Sequence, residues 1–407
     1  MQNFSTETLP GILSKCLAFT RADDVKADGN YPYFRAIQDS DGPVVTMENR
    51  HIIMAGSNNY LGLTAHPQVK EAAMNALNKY GTSCSGSRYL TGTIDLHEEL
   101  EARLAQFMGK EAALLYSTGY QTGQGVIATL AGRGDYIISD RDNHASIVAG
   151  NLMAASMGAK VVRYRHNDMD DLERVMAQIP PDANKLVVSD GVFSAMGTIV
   201  DLPRMTDIAR THNAAILLDD AHALGVIGKG GRGTASEFEL DSDVHLVMTT
   251  FSKTLASLGG FVTGPERTIN YLKHFSSALI FSASPTPASV AAALAALSIL
   301  EKEPQRVSKL AYNAQKIRSG LTKIGYRVMD GRTAIVPVIL GNDIAAFRVW
   351  KILYDEGVFV NAFIPPATPP NMSMMRVSLM ATHEDEHLDL ILDAFEKAMR
   401  KMDPINA

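Results

Sequence analysis

From Ala112 onward, short apolar runs rich in Val, Ile and Leu alternate with longer stretches whose apolar residues recur every three or four positions. The runs read as strands buried on both faces and the longer stretches as helices covering them, so the pattern predicts one large, mostly parallel sheet. Seven candidate strands follow: Ala112 to Tyr116, Tyr136 to Ser139, Lys160 to Tyr164, Leu186 to Ser189, Ala215 to Leu218, Val244 to Met248 and Phe261 to Thr263. Upstream, Val69, Ala72, Ala73, Ala76, Leu77 and Tyr80 keep helical spacing until Gly81, and Leu96, Leu100, Leu104 and Phe107 share a face of a second helix. Serine- and glycine-rich turns, GSNNYLGL from Gly56 and GTSCSGSRYLTGT from Gly81, flank the first of these helices and suggest a binding mouth.

After Pro285 the texture changes. Helices at Ala288 to Leu300 and Val307 to Leu321 precede strands near Val336 to Leu340, Val358 to Val360 and Met375 to Leu379, the pattern of a smaller α+β domain. Thr382-His383-Glu384-Asp385 reads as a capping box for a last helix carrying Leu388, Ile391, Leu392, Phe395 and Met399 on one side. Residues 1–55 offer one early helix candidate, Ile12 to Leu17, and an irregular stretch. The expected division is an arm over 1–55, a large domain over 56–290 and a small domain over 291–407.

Composition removes whole classes of function. With 407 residues, 46% of them hydrophobic, the chain supports more than one core. A net charge of -6 opposes a nucleic-acid surface, so a phosphate ligand has to be met locally. Cys16 and Cys84 are too few for a disulfide framework or a thiolate metal site, and they fit a reducing cytoplasm. No H-E-x-x-H spacing or Cys/His pairing points to a metal. The Ala288 to Leu300 run is too short to span a bilayer, and the opening MQNFSTETLPG lacks the basic and apolar parts of a secretory signal.

Ligands of such sheets sit beyond the carboxyl ends of the strands, and the residues there are chemically consistent. Ser117-Thr118-Gly119-Tyr120 follows the first strand and offers free helix N–H groups to a phosphate. Asp142-Asn143-His144 follows the second, Asp190-Gly191-Val192-Phe193-Ser194 the fourth, Asp219-Asp220-Ala221-His222 the fifth, and Thr250-Phe251-Ser252-Lys253 the sixth. A desolvated lysine has a lowered pKa and condenses with an aldehyde, which a solvated one does poorly. With a carboxylate, two histidines and a phosphate cradle at the same edge, the set matches the needs of pyridoxal phosphate. The glycine run GKGGRG, Gly228 to Gly233, is not placed between a strand and a helix as a nucleotide loop would be, and reads as flexible.

These residues, in this order, resemble the α-oxoamine synthases, a family of the fold-type-I pyridoxal-phosphate enzymes. The resemblance runs from NNYLGL at Asn58 through GSRYLTGT, YSTGYQTG, DNHASI, DGVFSAMG, DDAHALGVIG, TFSKTLASLGG and FSASPTP to MMRVSLMATH at Met374. Within the family the wording is most similar to the bacterial serine palmitoyltransferases, down to HNDMDDLE at His166 and VFVNAF at Val358. It implies that Lys253 holds the cofactor aldehyde and moves protons, that His144 stacks on the ring, and that Asp219 pairs with the ring nitrogen. It implies that His222 and Ser194 bond the phenolic oxygen, and that Gly119, Tyr120, Thr250 and Ser252 hold the phosphate, with Ser282 and Ser284 offered across a homodimer interface. Asn59 and Arg376 match positions that hold the amino acid carboxylate. Two positions depart from the family pattern: Asp220 stands where Glu is common, and Ile364 where some relatives carry an arginine before the prolines.

The implied reaction is a decarboxylative condensation of serine with palmitoyl-CoA in the cytoplasm. The alternatives are glycine with acetyl-CoA, alanine with pimeloyl-CoA, or a non-catalytic partner subunit, which would have no need of Lys253. The GSRYLTGT and PPATP loops disfavour a CoA-independent aldolase or transaminase. Leu9, Ile12, Leu13 and Leu17, with Met372, Met374 and Met375, are candidates to line an acyl channel, and a peripheral membrane contact is a further expected partner, tied to no particular residues.

Overall fold

The computed structural model describes residues 11–402. Its centre is a seven-stranded sheet in the order Ala112–Tyr116, Gly260–Gly264, Leu246–Thr250, Ala215–Asp219, Lys185–Asp190, Tyr136–Asp140, Lys160–Tyr164. Every neighbouring pair is parallel except the two made by Gly260–Gly264, which runs against both partners. That reversal puts Gly260, the first residue of its strand, opposite Tyr116 and Thr250, at the edge where the other strands end. All seven expected strands are present within two residues of their expected bounds. The largest shift is in the sixth, which starts at Leu246 because the Val244 carbonyl already accepts from the Lys110 ammonium at 2.6 Å.

Helices cover the sheet, and their starts are written in local polar groups. Thr118 accepts from the Gln121 N–H to open Gly119–Leu130, and Thr286 with Pro287 opens Pro287–Lys302. Pro287–Lys302 packs on Pro67–Tyr80, which stops at Gly81 with a positive φ of 83°. The second layer of architecture is a four-stranded sheet, Arg327–Val328, Ile335–Gly341, Ser373–Ser378 and Asn361–Phe363. A third sheet joins Asp39–Asp41, Val44–Met47 and Arg50–Met54 to Val358–Phe359, so the N-terminal stretch is stitched to the C-terminal part of the chain by a parallel pairing. Those three strands and the Asp343–Asp355 helix had no sequence expectation. Among the described residues no helix is long and apolar enough to cross a membrane.

Three local expectations are corrected. The Gly228–Gly233 run is not a loose loop: the N–H groups of Gly225 and Gly233 bond the carbonyls of Gly231 and Ile227, and Gly233, at φ 95°, lies against the buried Asp220 carboxylate. The last helix, Asp385–Met402, is not capped by Thr382, whose hydroxyl is buried without a partner; the His387 ring reaches back instead and accepts the Glu384 N–H at 3.1 Å. Met374 and Met375 are fully buried strand residues of Ser373–Ser378, and neither borders the cavity at the reaction site. Ile12, Leu13 and Leu17 are exposed on the Gly11–Leu17 helix, and Leu9 lies outside the described residues.

Candidate active site

The phosphate end is built by close approach. A Cβ on Gly119 would come within 2.5 Å of the Thr250 Cβ, and one on Gly260 within 2.7 Å of the Gly119 Cα. Only hydrogens at both positions let the Gly119–Leu130 helix start pressed against the two strand ends. The helix start, with its free first-turn N–H groups, thus lies against Thr250, whose hydroxyl is 2.9 Å from that of Ser252. Tyr120 sits half-exposed in the same turn, edge-on to His144 at 6.5 Å between ring centres. Ser282 accepts from the Gln121 side chain at 2.8 Å, and the Ser117 hydroxyl bonds the Ala283 carbonyl, so the 282–284 loop lies beside this helix within a single chain. Ser284 is tied by N–H and hydroxyl to the Gly86 carbonyl.

Lys253 follows this end, and burial lowers its pKa from 10.5 to about 8, with Arg376 adding to the shift and the carboxylates of Asp219 and Asp190 opposing it. Asp190 and Asp219 are direct partners across adjacent strands. Burial, reinforced by the Asp219 charge, pushes Asp190 well above the usual carboxylate range. Asp219 accepts the Ala221 N–H at 3.0 Å, which fixes its carboxyl at the strand end. Asn143 clamps the neighbouring turn: its carboxamide accepts the Asp190 N–H at 2.9 Å and donates to the Val188 carbonyl at 2.8 Å. His144 is thereby set at the start of the Ala145–Ser156 helix, its Nδ1 accepting the Ser146 N–H, and burial keeps its pKa below the ordinary value.

His222 is buried, and desolvation with the charges of Lys253 and Arg376 holds it well below its ordinary pKa, hence neutral. Its Nδ1 lies 2.6 Å from the Tyr60 hydroxyl. Burial keeps Tyr60 a phenol whose oxygen accepts from Arg376, and of the two acceptors its hydroxyl reaches, His222 Nδ1 at 2.6 Å and the Asn58 carboxamide oxygen at 3.3 Å, we assign its proton to the nearer, His222 Nδ1. The remaining nitrogen of His222, Nε2, therefore carries the proton and is a donor. Tyr60 was not singled out by sequence, although NNYLGL contains it.

Arg376, 2% exposed, is held by four acceptors: the Ser194 carbonyl at 2.6 Å, the Ser378 hydroxyl at 2.6 Å, the Asn58 carboxamide at 3.2 Å and the Tyr60 hydroxyl at 3.4 Å. Asn59 is not brought to it. Its side chain closes its own turn, accepting from Leu63 and donating to the Thr64 hydroxyl, and the neighbour Asn58 takes the place beside the guanidinium. Ser194, by its carbonyl, and Asp220 are likewise structural partners: Asp220, pushed up to about 6 by burial, accepts from the N–H and hydroxyl of Thr234. His144, Tyr120 and Ser194 open on a cavity of about 1100 Å³ bordered by the Pro365–Pro370 segment.

A buried amine that titrates near neutrality, a fixed carboxylate, a neutral histidine donor, a flat histidine ring and a two-glycine cradle with hydroxyls fit a phosphorylated aromatic aldehyde with a ring nitrogen. The aminotransferase class I and II family profile matches residues 50–395. A serine palmitoyltransferase of Sphingobacterium spiritivorum is 47% identical over 382 residues, covering 94% of this chain and 94% of that protein. The structure of a serine palmitoyltransferase from S. paucimobilis, with bound PLP–myriocin aldimine, superposes with a TM-score of 0.94 at 34% identity, covering 97% of this chain and 100% of that one. An 8-amino-7-oxononanoate synthase of Geobacter sulfurreducens is 39% identical over 380 residues, covering 93% of this chain and 96% of that protein. The fold-type-I architecture expected from the resemblance is the one present.

Proposed function

The chain belongs to the aminotransferase class I and II family and, within it, to the α-oxoamine synthases, and from that premise we propose that it joins L-serine to palmitoyl-CoA with pyridoxal phosphate as cofactor. The serine Cα forms a bond to the thioester carbonyl carbon, the C–S bond breaks, and CO₂ and CoA leave, giving 3-ketodihydrosphingosine. The observation that carries the reading is the 47% identity spread over 94% of both chains, a higher value than the 39% to a synthase of the sister class.

Bound pyridoxal phosphate supplies an electron sink for the pair left at Cα when the carboxylate departs. Lys253 holds the aldehyde and carries the Cα proton. Asp219 keeps the ring nitrogen protonated, and His222 Nε2 donates to the phenolic oxygen, with Ser194 beside it. His144 stacks on the ring. Gly119, Tyr120, Thr250 and Ser252 receive the phosphate. Arg376 takes the serine carboxylate, where a guanidinium is suited to bind both oxygens; Asn58, bonded to it, orients the fork. A non-catalytic subunit is opposed by the intact set around a buried Lys253.

We place the reaction in the cytoplasm and in a homodimer, which the exposed apolar residues Leu90 and Phe281 beside the 282–284 loop support; the exposed Ile12 and Leu13 support a peripheral membrane contact. CoA release by the purified protein should be fastest, by kcat/KM, with serine and palmitoyl-CoA across a panel of amino acids and acyl-CoAs. An optimum at glycine with acetyl-CoA, or alanine with pimeloyl-CoA, would move the protein to the corresponding sister activity.

A further inference from the structure

One end of the four-stranded sheet opens on a groove. Arg327, which starts one edge strand, lies opposite Ile339; Gly341, which closes the next strand, lies opposite Ser373; and Phe363, which closes the other edge strand, lies opposite Met374. All four strands therefore reach the same end. The groove, of about 970 Å³, crosses it from Arg327 past the start of the Asp343–Asp355 helix to Pro365, Pro370 and Asn371. Its size is inside the roughly 300–1,000 Å³ range of small-molecule sites, and four strands at their usual spacing are roughly 14 Å across, which suits an elongated ligand.

The floor is apolar, made by Ile339, Leu340, Val349, Met399 and Met402, with the exposed Ile344 at the rim. Most of the polar groups are already engaged. Asn342 accepts the Ala345 N–H, Asp343 is bonded to Arg21 and to the Ser373 hydroxyl, and the Tyr326 hydroxyl donates to the Phe395 carbonyl. Three charged side chains line the groove, and since Asp343 is neutralised by Arg21, the two that remain, Arg327 and Arg348, leave it cationic. Both are exposed, and neither has a carboxylate partner among the described residues. Guanidiniums without a partner beside an apolar floor complement an anionic head that carries a chain, and unbranched methionines adapt to that chain.

We propose that this groove binds a free long-chain carboxylate at a site apart from the reaction site but sharing a wall with it. The head meets Arg327 and Arg348, and the chain lies over Leu340 and the two methionines. None of the residues assigned to the cofactor or to serine lines the groove. A single amphiphile fits better than a membrane surface because the floor is recessed, with Ile339 and Val349 buried below the exposed Ile344. The shared wall is the proline segment: Pro365 and Pro370 border this groove as well as the reaction-site cavity, so an occupant here touches the segment that flanks the chemistry. The site itself does not depend on the acyl-CoA condensation proposed above; its effect on turnover does.

Fluorescence of dansyl-labelled undecanoate tests the site on the holoprotein. The probe should bind wild type, be displaced by laurate, and bind at least tenfold more weakly to the double variant Arg327→Gln/Arg348→Gln. Serine should perturb the cofactor absorbance of that variant at the wild-type concentration, because both side chains are exposed and lie outside the reaction site. Ile344→Asp, in the first turn of its helix where a carboxylate is tolerated, should weaken the probe as much by repelling its head. Laurate should also change kcat/KM for palmitoyl-CoA at least twofold in wild type and by less in the double variant. Probe affinity unchanged in both variants overturns the proposal. So does displacement by inorganic phosphate alone, which would make the groove a bare anion site. Phosphatidylglycerol vesicles bound by wild type and lost by the double variant, with free laurate displacing nothing, would make it a membrane contact and overturn it too. A kinetic response of equal size in both proteins would put the effect of laurate at the reaction site and remove the coupling through the shared wall. A wild type that binds the probe through the two arginines yet releases no CoA from any acyl-CoA defeats the condensation reading and leaves this site standing.

Discussion

Lys253 shows how burial becomes chemistry at one residue. An amine with its ordinary pKa of 10.5 is neutral in only roughly one molecule in three hundred at pH 8, whereas at about 8 half of it is ready to condense with an aldehyde. Borohydride treatment of the yellow holoprotein should fix the cofactor on the peptide containing Lys253, and Lys253→Ala should show no turnover; label on another peptide would move the assignment. The same shift has a stability signature. Between pH 8 and 10.5 the unfolded chain carries the Lys253 proton and the folded apoprotein does not, so stability rises with pH through that window, by at most about 1.4 kcal/mol per unit, and the cost is fully present below it. Melting of the cofactor-free protein from pH 7.5 to 10 should rise more steeply for wild type than for Lys253→Met, and parallel curves would show that the amine is solvated. At Tyr60 the proton argument is tested by Tyr60→Phe: with its donor gone, His222 no longer has Nδ1 fixed as the acceptor. The aldehyde absorbance should then titrate at a shifted pH while serine affinity, read from the same spectrum, changes less than in Arg376→Ala, where it should fall at least tenfold. Equal losses in both would make Tyr60 a mere support of the guanidinium.

At the scale of elements, what decides the site is where strands stop and helices begin. Gly260 at the start of the reversed strand and Gly119 at the start of its helix meet at 2.7 Å once a Cβ is placed on Gly260, so Gly260→Ala should weaken cofactor binding at least tenfold with little change in the far-ultraviolet spectrum. Retained affinity would place the phosphate elsewhere. The strands themselves were legible because buried parallel strands are near-continuous apolar runs, and the polar residues after each were legible because the topology sends them all to one edge. Other parts were not. Asn58 and Asn59 differ by one position in a turn, and which amide faces Arg376 depends on hydrogen bonds to Leu63 and Thr64 that no pattern announces. The Gly228–Gly233 run looked flexible because what fixes it, the buried Asp220 carboxylate beside Gly233 and the backbone bonds to Gly225 and Ile227, leaves no mark in its glycine-rich composition. Asp39–Asp41 is short and exposed and Val44–Met47 short and half-buried, and they are anchored through Arg50–Met54, which pairs with Val358–Phe359 more than 300 residues later.

At the scale of the whole molecule, one group of exposed apolar side chains is carried by loops tied to the phosphate end. Leu90 is 76% and Phe281 86% exposed, and the loops that carry them are tied together by the bonds of Ser284 to Gly86. Tyr89 packs edge-on to His274, and Tyr271 stacks on the exposed Phe275, which extends the same surface. Large side chains of this kind in water, joined to the loop that supports the Gly119–Leu130 helix, mark a contact with another protein surface more than they mark ordinary scatter. A second copy meeting this face through a two-fold axis would bury both sets at once, because such an interface uses the same patch on each subunit. The holoprotein should therefore run at twice the 44.0 kDa chain mass in light scattering at micromolar concentration. Phe281→Glu should shift it toward the single-chain mass, since a buried unpaired carboxylate opposes association, and cofactor affinity should fall with dimer content as the 282–284 loop loses its support. A wild-type monomer with full activity would show that one chain completes the site, and a dimer untouched by Phe281→Glu would place the interface on another face.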